Sequence, residues 1–264
     1  MKDTIGDRMK GYENCYRLYI PRKSFVIIRI DGKAFHAYTR GCEKPFDKEL
    51  NNIFCRATLA ACEQIQNVKF AYHQSDEISF VLTDFENIKT DAWFGNNIQK
   101  MTSVAASIFT AEFNRFTLIS KMQKMAENGG RVMISNDMWD LKMAQFDARV
   151  FMVPSYIEVY NYYLWRQRDC DKNSVQSLAR ANFPHKELQN KNGDQLQELL
   201  FSQKNLNWND CPANQKRGEG FYKKGVDITT ENGMVKRNRW FCDENIPIFS
   251  QDLNWLKDKI PENR

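Results

Sequence analysis

An α+β fold is predicted for this chain: a split βαβ antiparallel sheet with helices packed on one face, followed by a mainly helical extension. Three observations predict it. Short β-branched or aromatic runs alternate with segments of helical apolar spacing up to residue 153. Two of the runs flank the polar turn Gln74-Ser75-Asp76-Glu77 as strands flank a hairpin. Beyond Pro154 the apolar pattern is mostly helical, which makes 1–153 one unit and 154–264 an extension packed on it.

Val26-Ile27-Ile28-Arg29-Ile30 reads as the first strand and ends in Asp31-Gly32. The loop Gly41 to Asp47 places Asp47 to cap a helix, on which Leu50, Ile53, Phe54, Ala57, Ala61 and Ile65 share one face. Phe70-Ala71-Tyr72 and Ile78 to Leu82 form the hairpin, and a polar linker runs through Asp91. Ile98, Met101, Ala105, Ile108, Phe109 and Phe113 write a second helix ending near Phe116, with Lys100, Ser103 and Ser107 on its other side. Asn128-Gly129-Gly130 breaks the chain, and Phe146 to Val153 is a further strand stopped by Pro154. Strand, helix, strand, strand, helix, strand is the order of a split βαβ sheet. In the extension, Val159 to Trp165 is expected as a core helix that turns polar at Arg166-Gln167-Arg168-Asp169, so Tyr160, Tyr162, Tyr163 and Trp165 are read as core. Gln176 to Arg180 and Leu196 to Phe201 read as two more helices, separated by Asn182-Phe183-Pro184-His185-Lys186. From Asn205 on the chain is loop-rich, with a hairpin about Glu231-Asn232-Gly233.

Composition narrows the class. A 264-residue chain that is 42% apolar and 27% charged has the material for a full core, and no apolar run reaches membrane-spanning length. Met1 to Arg8 carries no hydrophobic signal region, so a cytoplasmic location is expected, with no membrane partner. The 7 cysteines include no Cys-x-x-Cys pair, which argues against a zinc ribbon and a disulfide framework and for reduced, partly buried thiols. The net charge of +5 is mild, but Lys216, Arg217, Lys223, Lys224, Lys236, Arg237 and Arg239 outnumber the acids of one carboxy-terminal stretch that also holds Phe221, Tyr222 and Trp240. Basic residues interleaved with aromatics suit a nucleic-acid surface, although a solvated charged loop has the same composition.

The chemistry is carried by Asp31 and Asp76. If their strands are neighbours, the two carboxylates lie side by side and repel unless a divalent cation sits between them. Oxygen donors of this kind suit Mg²⁺, and two such ions serve phosphoryl or nucleotidyl transfer. An acidic turn and a capping Asp would give the same letters without any metal.

Acids at these two places in a split βαβ sheet are the arrangement used by polymerase palms and nucleotidyl cyclases. Ile28 to His36, Lys44-Pro45-Phe46-Asp47, Tyr72 to Phe80, Lys100 to Ser107, Phe146-Asp147-Ala148-Arg149-Val150 and Trp165-Arg166-Gln167, in that order, resemble the tRNA-histidine guanylyltransferase family, above all its bacterial guanylyltransferase-like members, as far as Phe249. The resemblance implies a palm-like catalytic unit and 3′-to-5′ nucleotide addition at the 5′ end of tRNA: ATP first activates the 5′-monophosphate, and the 3′-hydroxyl of an incoming triphosphate, commonly GTP, then attacks. It implies that Asp31, Asp76 and the Gly32 carbonyl hold two Mg²⁺, that Asp31, Gly32, Lys33, Ala34, Phe35, His36, Ser75 and Asp76 bind nucleotide, and that Lys44 assists activation. Asp47 joins the nucleotide set, Lys100 is expected as a triphosphate clamp, and Glu77 as a support behind the metals. Arg166, Lys186, Lys191, Lys216 and Arg217 are expected to contact tRNA phosphates. Family members are commonly tetramers, and a homotetramer is expected here.

Where the histidine-specific enzymes carry His-Ile-Asn-Asn, this chain has Asp171-Lys172-Asn173-Ser174 and keeps only Asn173. The expectation is therefore template-dependent repair of 5′-truncated tRNA, with tRNA-histidine-specific guanosine addition as the alternative. Two other classes share features: a nucleotidyl cyclase, which needs no tRNA-sized basic surface, and a non-catalytic RNA-binding module, which needs neither Asp31 nor Asp76.

Overall fold

The β-branched run that opens the chain's pattern lies inside an antiparallel sheet. This computed structural model describes residues 4–127, 142–230 and 233–262. Helix α1 is Ile5–Asn14, β1 Phe25–Gly32, α2 Lys48–Gln64, β2 Val68–Gln74 and β3 Glu77–Leu82. Helix α3 is Ile98–Glu127, β4 Phe146–Val153, α4 Tyr156–Asn182, α5 Gly193–Lys204, β5 Glu219–Thr230 and β6 Gly233–Asp243. Among the described residues the six strands lie in the order β4-β1-β3-β2-β5-β6, and all neighbours pair antiparallel.

Alternation along β1 separates two cores. Val26, Ile28 and Ile30 face the side covered by α2 and α3, where Phe54, Ala57, Met101, Phe109 and Phe113 complete a cluster with Phe80 and Phe221. Phe25 and Ile27 face the opposite side, closed by Val159, Tyr160 and Tyr163 of α4 and by Ile246, Phe249 and Leu256 of the carboxy-terminal segment. Helices α2 and α3 thus lie on one face as expected, and the extension supplies the cover for the other. It also supplies two strands, since β5 pairs with β2 from Phe70↔Tyr222 to His73↔Glu219.

Several boundaries differ from the sequence reading. Helix α3 does not end near Phe116 but runs to Glu127, and the two helices read at Val159 to Trp165 and Gln176 to Arg180 are one helix, α4. Neither span contains Gly or Pro, and the polar stretch Arg166 to Asp169 does not break α4 because Arg166 and Gln167 turn inward. The chain leaves α4 at Phe183-Pro184, where proline cannot continue a helix. Helix α1 was unforeseen: Thr4 caps it by accepting from the Asp7 N–H, yet it buries no residue, so no core face marks it in the sequence. Of the tyrosine cluster, Tyr160, Tyr162 and Tyr163 are core but Trp165 is 53% exposed. The cysteines are all free thiols. The break at Asn128-Gly129-Gly130 and the turn residues Glu231-Asn232 lie outside the described residues. Among the described residues, no helix is long and apolar enough to cross a membrane.

Candidate active site

The pairing of β1 with β3 brings the two acids of the sequence reading to one end of the sheet. Asp31 lies opposite Glu77 on one side and Asp147 of β4 on the other. Asp76 sits in the two-residue turn between β2 and β3, and its carbonyl accepts the Gly32 N–H at 3.1 Å. Glycine is required at 32, because a Cβ there would stand 2.5 Å from the Phe35 ring and 3.1 Å from the Asp76 Cβ. The turn is strained: Ser75 has φ +54°, a conformation that costs a non-glycine residue about 1–3 kcal/mol and persists only where its surroundings hold it. Ser75 Oγ donates to Asp76 Oδ1 at 3.1 Å.

Electrostatics single out the pair. Burial pushes the Asp31 carboxyl above its ordinary range, against the pull of Arg29 and with a further push from Asp147. Burial likewise raises Asp76, and Asp31 adds to it. The guanidinium groups near Asp31 stand off, Arg149 at 3.8 Å and Arg29 at 4.0 Å from Oδ2. Half-buried carboxylates that repel one another and are only loosely neutralised form a hard-oxygen donor set that fits a divalent cation. Glu77 is different. Its carboxylate lies between Arg166 Nε at 2.8 Å and Arg29 Nε at 3.5 Å, behind the pair and away from solvent. Neither Nε–H is aligned for a directed hydrogen bond, so these contacts are chiefly Coulombic.

A cleft of about 740 Å³ opens beside Asp76. Its walls include Phe35, His36, Asp47 and Ser75 of the expected nucleotide set and Lys44, expected to assist activation, faced by Asn173 and Arg180 of α4. Asp47 caps α2 as anticipated: one oxygen accepts the Leu50 N–H and the other the Glu43 N–H, both at 2.9 Å, which closes the loop that carries Lys44. Burial works against its charge, but these backbone donors hold its carboxyl below the ordinary range. Lys33 turns from this cleft: its Nζ donates to Gln145 Oε1 at 3.0 Å, and it lines a second hollow of about 980 Å³ with Arg115 and Asp147. Ala34, at φ +51°, makes the bend that directs Phe35 into the core and His36 into the cleft.

Other expected residues are not brought to the pair. Lys100 is on the first turn of α3 with Nζ 5.9 Å from the Phe94 ring centroid. Asn114, which hydrogen-bonds Ala144 beside the Gln145 that holds Lys33, lies about 21 Å further along the same axis by helical rise. Arg166 and Lys216, expected as cations open to RNA phosphates, are buried. Arg166 pairs with Glu77 and, at 2.6 Å, Asp169, and Lys216 donates to the Asn209 carbonyl over the Trp208 ring. Each has a tertiary partner that a one-dimensional reading cannot see. Arg217 is half-buried, while Lys186 and Lys191 are exposed. Past Tyr222, β5 and β6 leave the sheet as an open ribbon that exposes Lys223, Lys224, Lys236, Arg237 and Arg239. Among the groups missed by the sequence reading, Glu219 and its donor Asn51 meet next to this site from 168 residues apart, a separation that leaves no local signal.

The family model described as Thg1, tRNAHis guanylyltransferase, matches residues 6–154. A probable tRNA(His) guanylyltransferase of Dictyostelium discoideum is 29% identical over 241 residues, covering 86% of this chain and 86% of its own. The tRNA(His) guanylyltransferase of Schizosaccharomyces pombe is 27% identical, covering 83% of this chain and 80% of its own. The structure of a bacterial tRNA(His) guanylyltransferase (Thg1)-like protein in complex with ATP superposes with a TM-score of 0.83 at 42% identity, over 98% of this chain and 100% of that one. One described as in complex with GTP gives 0.77 at 39% identity, over 97% and 98%. With the expected palm-like sheet in place and the paired acids at its end, the chain belongs to the tRNAHis guanylyltransferase family.

Proposed function

We propose that this protein repairs tRNA 5′ ends by template-dependent addition of nucleotides in the 3′-to-5′ direction. The observation that carries the reading is the pair Asp31 and Asp76 at the mouth of a nucleotide-sized cleft, in a chain that matches a Thg1-like protein in complex with ATP over its whole length. In the first step a 5′-phosphate oxygen of tRNA attacks the α-phosphorus of ATP and pyrophosphate leaves. In the second, the 3′-hydroxyl of an incoming triphosphate attacks the 5′ phosphorus of the adenylylated end and AMP leaves.

Asp31, Asp76 and the Gly32 carbonyl are the oxygens that would hold two Mg²⁺, whose charge would neutralise the triphosphate and the attacking oxygen. The rest is positioning. Asp47 fixes the loop of Lys44 at the cleft, where the ammonium meets the activating nucleotide. His36 stands exposed on the cleft wall with Ser75 and contacts the nucleotide there. The ribbon cations and Lys186 and Lys191 are the surface for tRNA phosphates.

Template dependence rests on the lost His-Ile-Asn-Asn element. Asn173 and Ser174 both line the cleft, but the Ser174 hydroxyl is buried and already engaged, accepting from the Trp208 indole N–H at 2.9 Å and donating to the Asp171 carbonyl at 2.8 Å, so Asn173 is the residue of that element open to a nucleotide. Pairing with the opposing strand of the acceptor stem then selects the base. The homotetramer is supported by the apolar side chains that α1 and the following segment leave in solvent: Ile5, Tyr12, Tyr16 and Leu18 are each more than 60% exposed, at 72%, 61%, 74% and 65%. A cytoplasmic enzyme is proposed on the same reading. The test is a panel of 5′-monophosphorylated tRNAs lacking their first nucleotide, given ATP, all four triphosphates and Mg²⁺. Addition that follows the opposing base supports repair; extension of tRNA-histidine alone, by guanosine whatever stands opposite, establishes the histidine-specific reading instead.

A further inference from the structure

Behind the Ser75-Asp76 turn lies a buried histidine–carboxylate contact that the proposed chemistry does not use. His73, 3% exposed, is the penultimate residue of β2, and Glu219, 1% exposed, is the first of β5 directly opposite it. His73 Nδ1 lies 3.3 Å from Glu219 Oε2, and Nε2 lies 3.0 Å from the carbonyl oxygen of Ser75. Both partners accept hydrogen bonds, so a proton on each ring nitrogen satisfies both contacts at once. The ring is locked in its plane by stacking on Phe54, centroids 4.7 Å apart and 19° between planes.

Glu219 is built to be charged. Oε1 accepts from the side-chain amides of Asn51 and Asn214, and Oε2 takes His73 and, at 3.8 Å, the Cys242 thiol. Although burial opposes its charge, His73 and the two amides hold the carboxyl below its ordinary range. Among the described residues His73 is the basic side chain within ion-pair distance of Glu219, at 3.3 Å. Gly218 allows the approach: it has φ +77°, and a Cβ there would stand 2.4 Å from the His73 carbonyl.

We propose that His73 is a positioning residue for the metal-binding turn: clamped by Glu219, it donates to the Ser75 carbonyl and holds the left-handed Ser75 that aims Asp76 at the cation. The same contact ties the turn to the root of the basic ribbon, because Glu219 begins β5. The inference rests on Asp76 as a metal ligand but not on tRNA being the substrate.

The test uses the full-length protein. With 3 histidines in the chain, ¹⁵N-histidine spectra assign His73 against His73→Gln. A proton on His73 Nε2, hydrogen-bonded to the Ser75 carbonyl, is expected in the wild type, and a ring without a proton on Nε2 overturns the proposal. Binding of Mn²⁺ with ATP, followed by electron paramagnetic resonance, is expected to weaken about 10–100-fold in folded His73→Gln, whose single amide can serve Glu219 or Ser75 but not both, and similarly in Glu219→Gln, which touches neither turn nor ligand. Wild-type Mn²⁺ affinity in both folded variants refutes it, and if neither variant folds, the wild-type spectrum decides alone. Asp76→Asn separates the two readings: if it too keeps wild-type Mn²⁺ binding, the metal site itself is misassigned.

Discussion

Replacing Arg166 by Met tests the account of the charges behind the site. The substitution keeps much of the side-chain volume but removes the guanidinium that lies 2.8 Å from Glu77 and 2.6 Å from Asp169. Glu77 is then a buried carboxylate with Arg29 alone, at 3.5 Å, and with Asp31 opposite it across the strands. Removing one partner of a buried pair costs about 3–5 kcal/mol, and because Arg29 remains the lower end applies, about 3 kcal/mol. At about 2–4 °C per kcal/mol for a chain of this size, the melting temperature falls by about 6–12 °C. Arg166→Lys recovers only part of the loss, since a single ammonium cannot span Glu77 and Asp169 or lie flat over Trp165, whose ring centroid is 4.1 Å from the guanidinium carbon.

The pH dependence of the loss follows from Glu77. Burial already raises its carboxyl above the ordinary range, against the pull of Arg166 and Arg29. Without Arg166 it rises further. A carboxyl raised in the folded state destabilises the fold while ionised, so the deficit is full above the folded-state value and shrinks as pH falls through it. Urea unfolding of wild type, Arg166→Met, Glu77→Gln and the double variant gives the coupling directly. The double variant is expected to regain most of what Arg166→Met loses. A loss below about 1 kcal/mol in the single variant, or no recovery in the double, refutes the assignment of Arg166 as a buried partner of Glu77.

Asp76→Asn is expected to lower nucleotide transfer by about a thousandfold, the equivalent of about 4 kcal/mol of lost charge stabilisation, in an adenylylation assay. Since the carboxyl is raised by burial and by Asp31, the same variant melts higher than wild type without metal above the folded-state value, and an unchanged or lower melting temperature contradicts the repulsion. Gly218→Ala is expected to cost about 2–4 kcal/mol, since it adds left-handed strain to a clash with the His73 carbonyl and the Tyr72 hydroxyl; urea midpoints within error of wild type would exclude that close approach. Changing Lys224, Lys236, Arg237 and Arg239 to Ser is expected to weaken tRNA binding and reduce the slope of log affinity against log salt by about 1 for each phosphate no longer neutralised, with melting temperature unchanged, and an unaltered slope removes the ribbon from the RNA surface.

What the sequence disclosed follows the range of the forces involved. Asp31, the Ser75-Asp76 turn and the capping Asp47 are set by neighbours a few residues away, and each was legible. Arg166 and Lys216 were read as surface cations because charge is normally solvated; their burial depends on Glu77 and on the Asn209 carbonyl, which only the folded chain brings to them. The inward turn of Arg166 also explains the misplaced break in α4, since a polar segment buried by a distant acid imitates the end of an amphipathic helix. The basic stretch was visible, but not its division between a buried root at Lys216 and an exposed ribbon beyond Tyr222. His73 and Glu219, 146 residues apart, left no periodic or spaced signal at all.

On the proposed reading of Asp31 and Asp76 as metal ligands, the unequal sharing of cations among three neighbouring acids is what leaves the site open to a metal. Arg29 and Arg166 both stand closer to Glu77 than any guanidinium stands to Asp31, where the nearest is Arg149 at 3.8 Å. If Glu77 were neutral, Arg29 would lose its nearer carboxylate while its Nη2 remained 4.0 Å from Asp31, and a small rotation would turn that loose contact into an ion pair occupying a metal ligand. Glu77→Gln is therefore expected to weaken Mn²⁺ binding about tenfold or more although Glu77 faces away from the cleft, because Arg29 then competes with the cation for Asp31. Combining it with Arg29→Met is expected to restore most of that affinity by removing the competitor. Restoration would place the role of Glu77 in restraining Arg29; unchanged affinity in Glu77→Gln, or no restoration in the pair, would leave the loose neutralisation of Asp31 without a physical cause in this network.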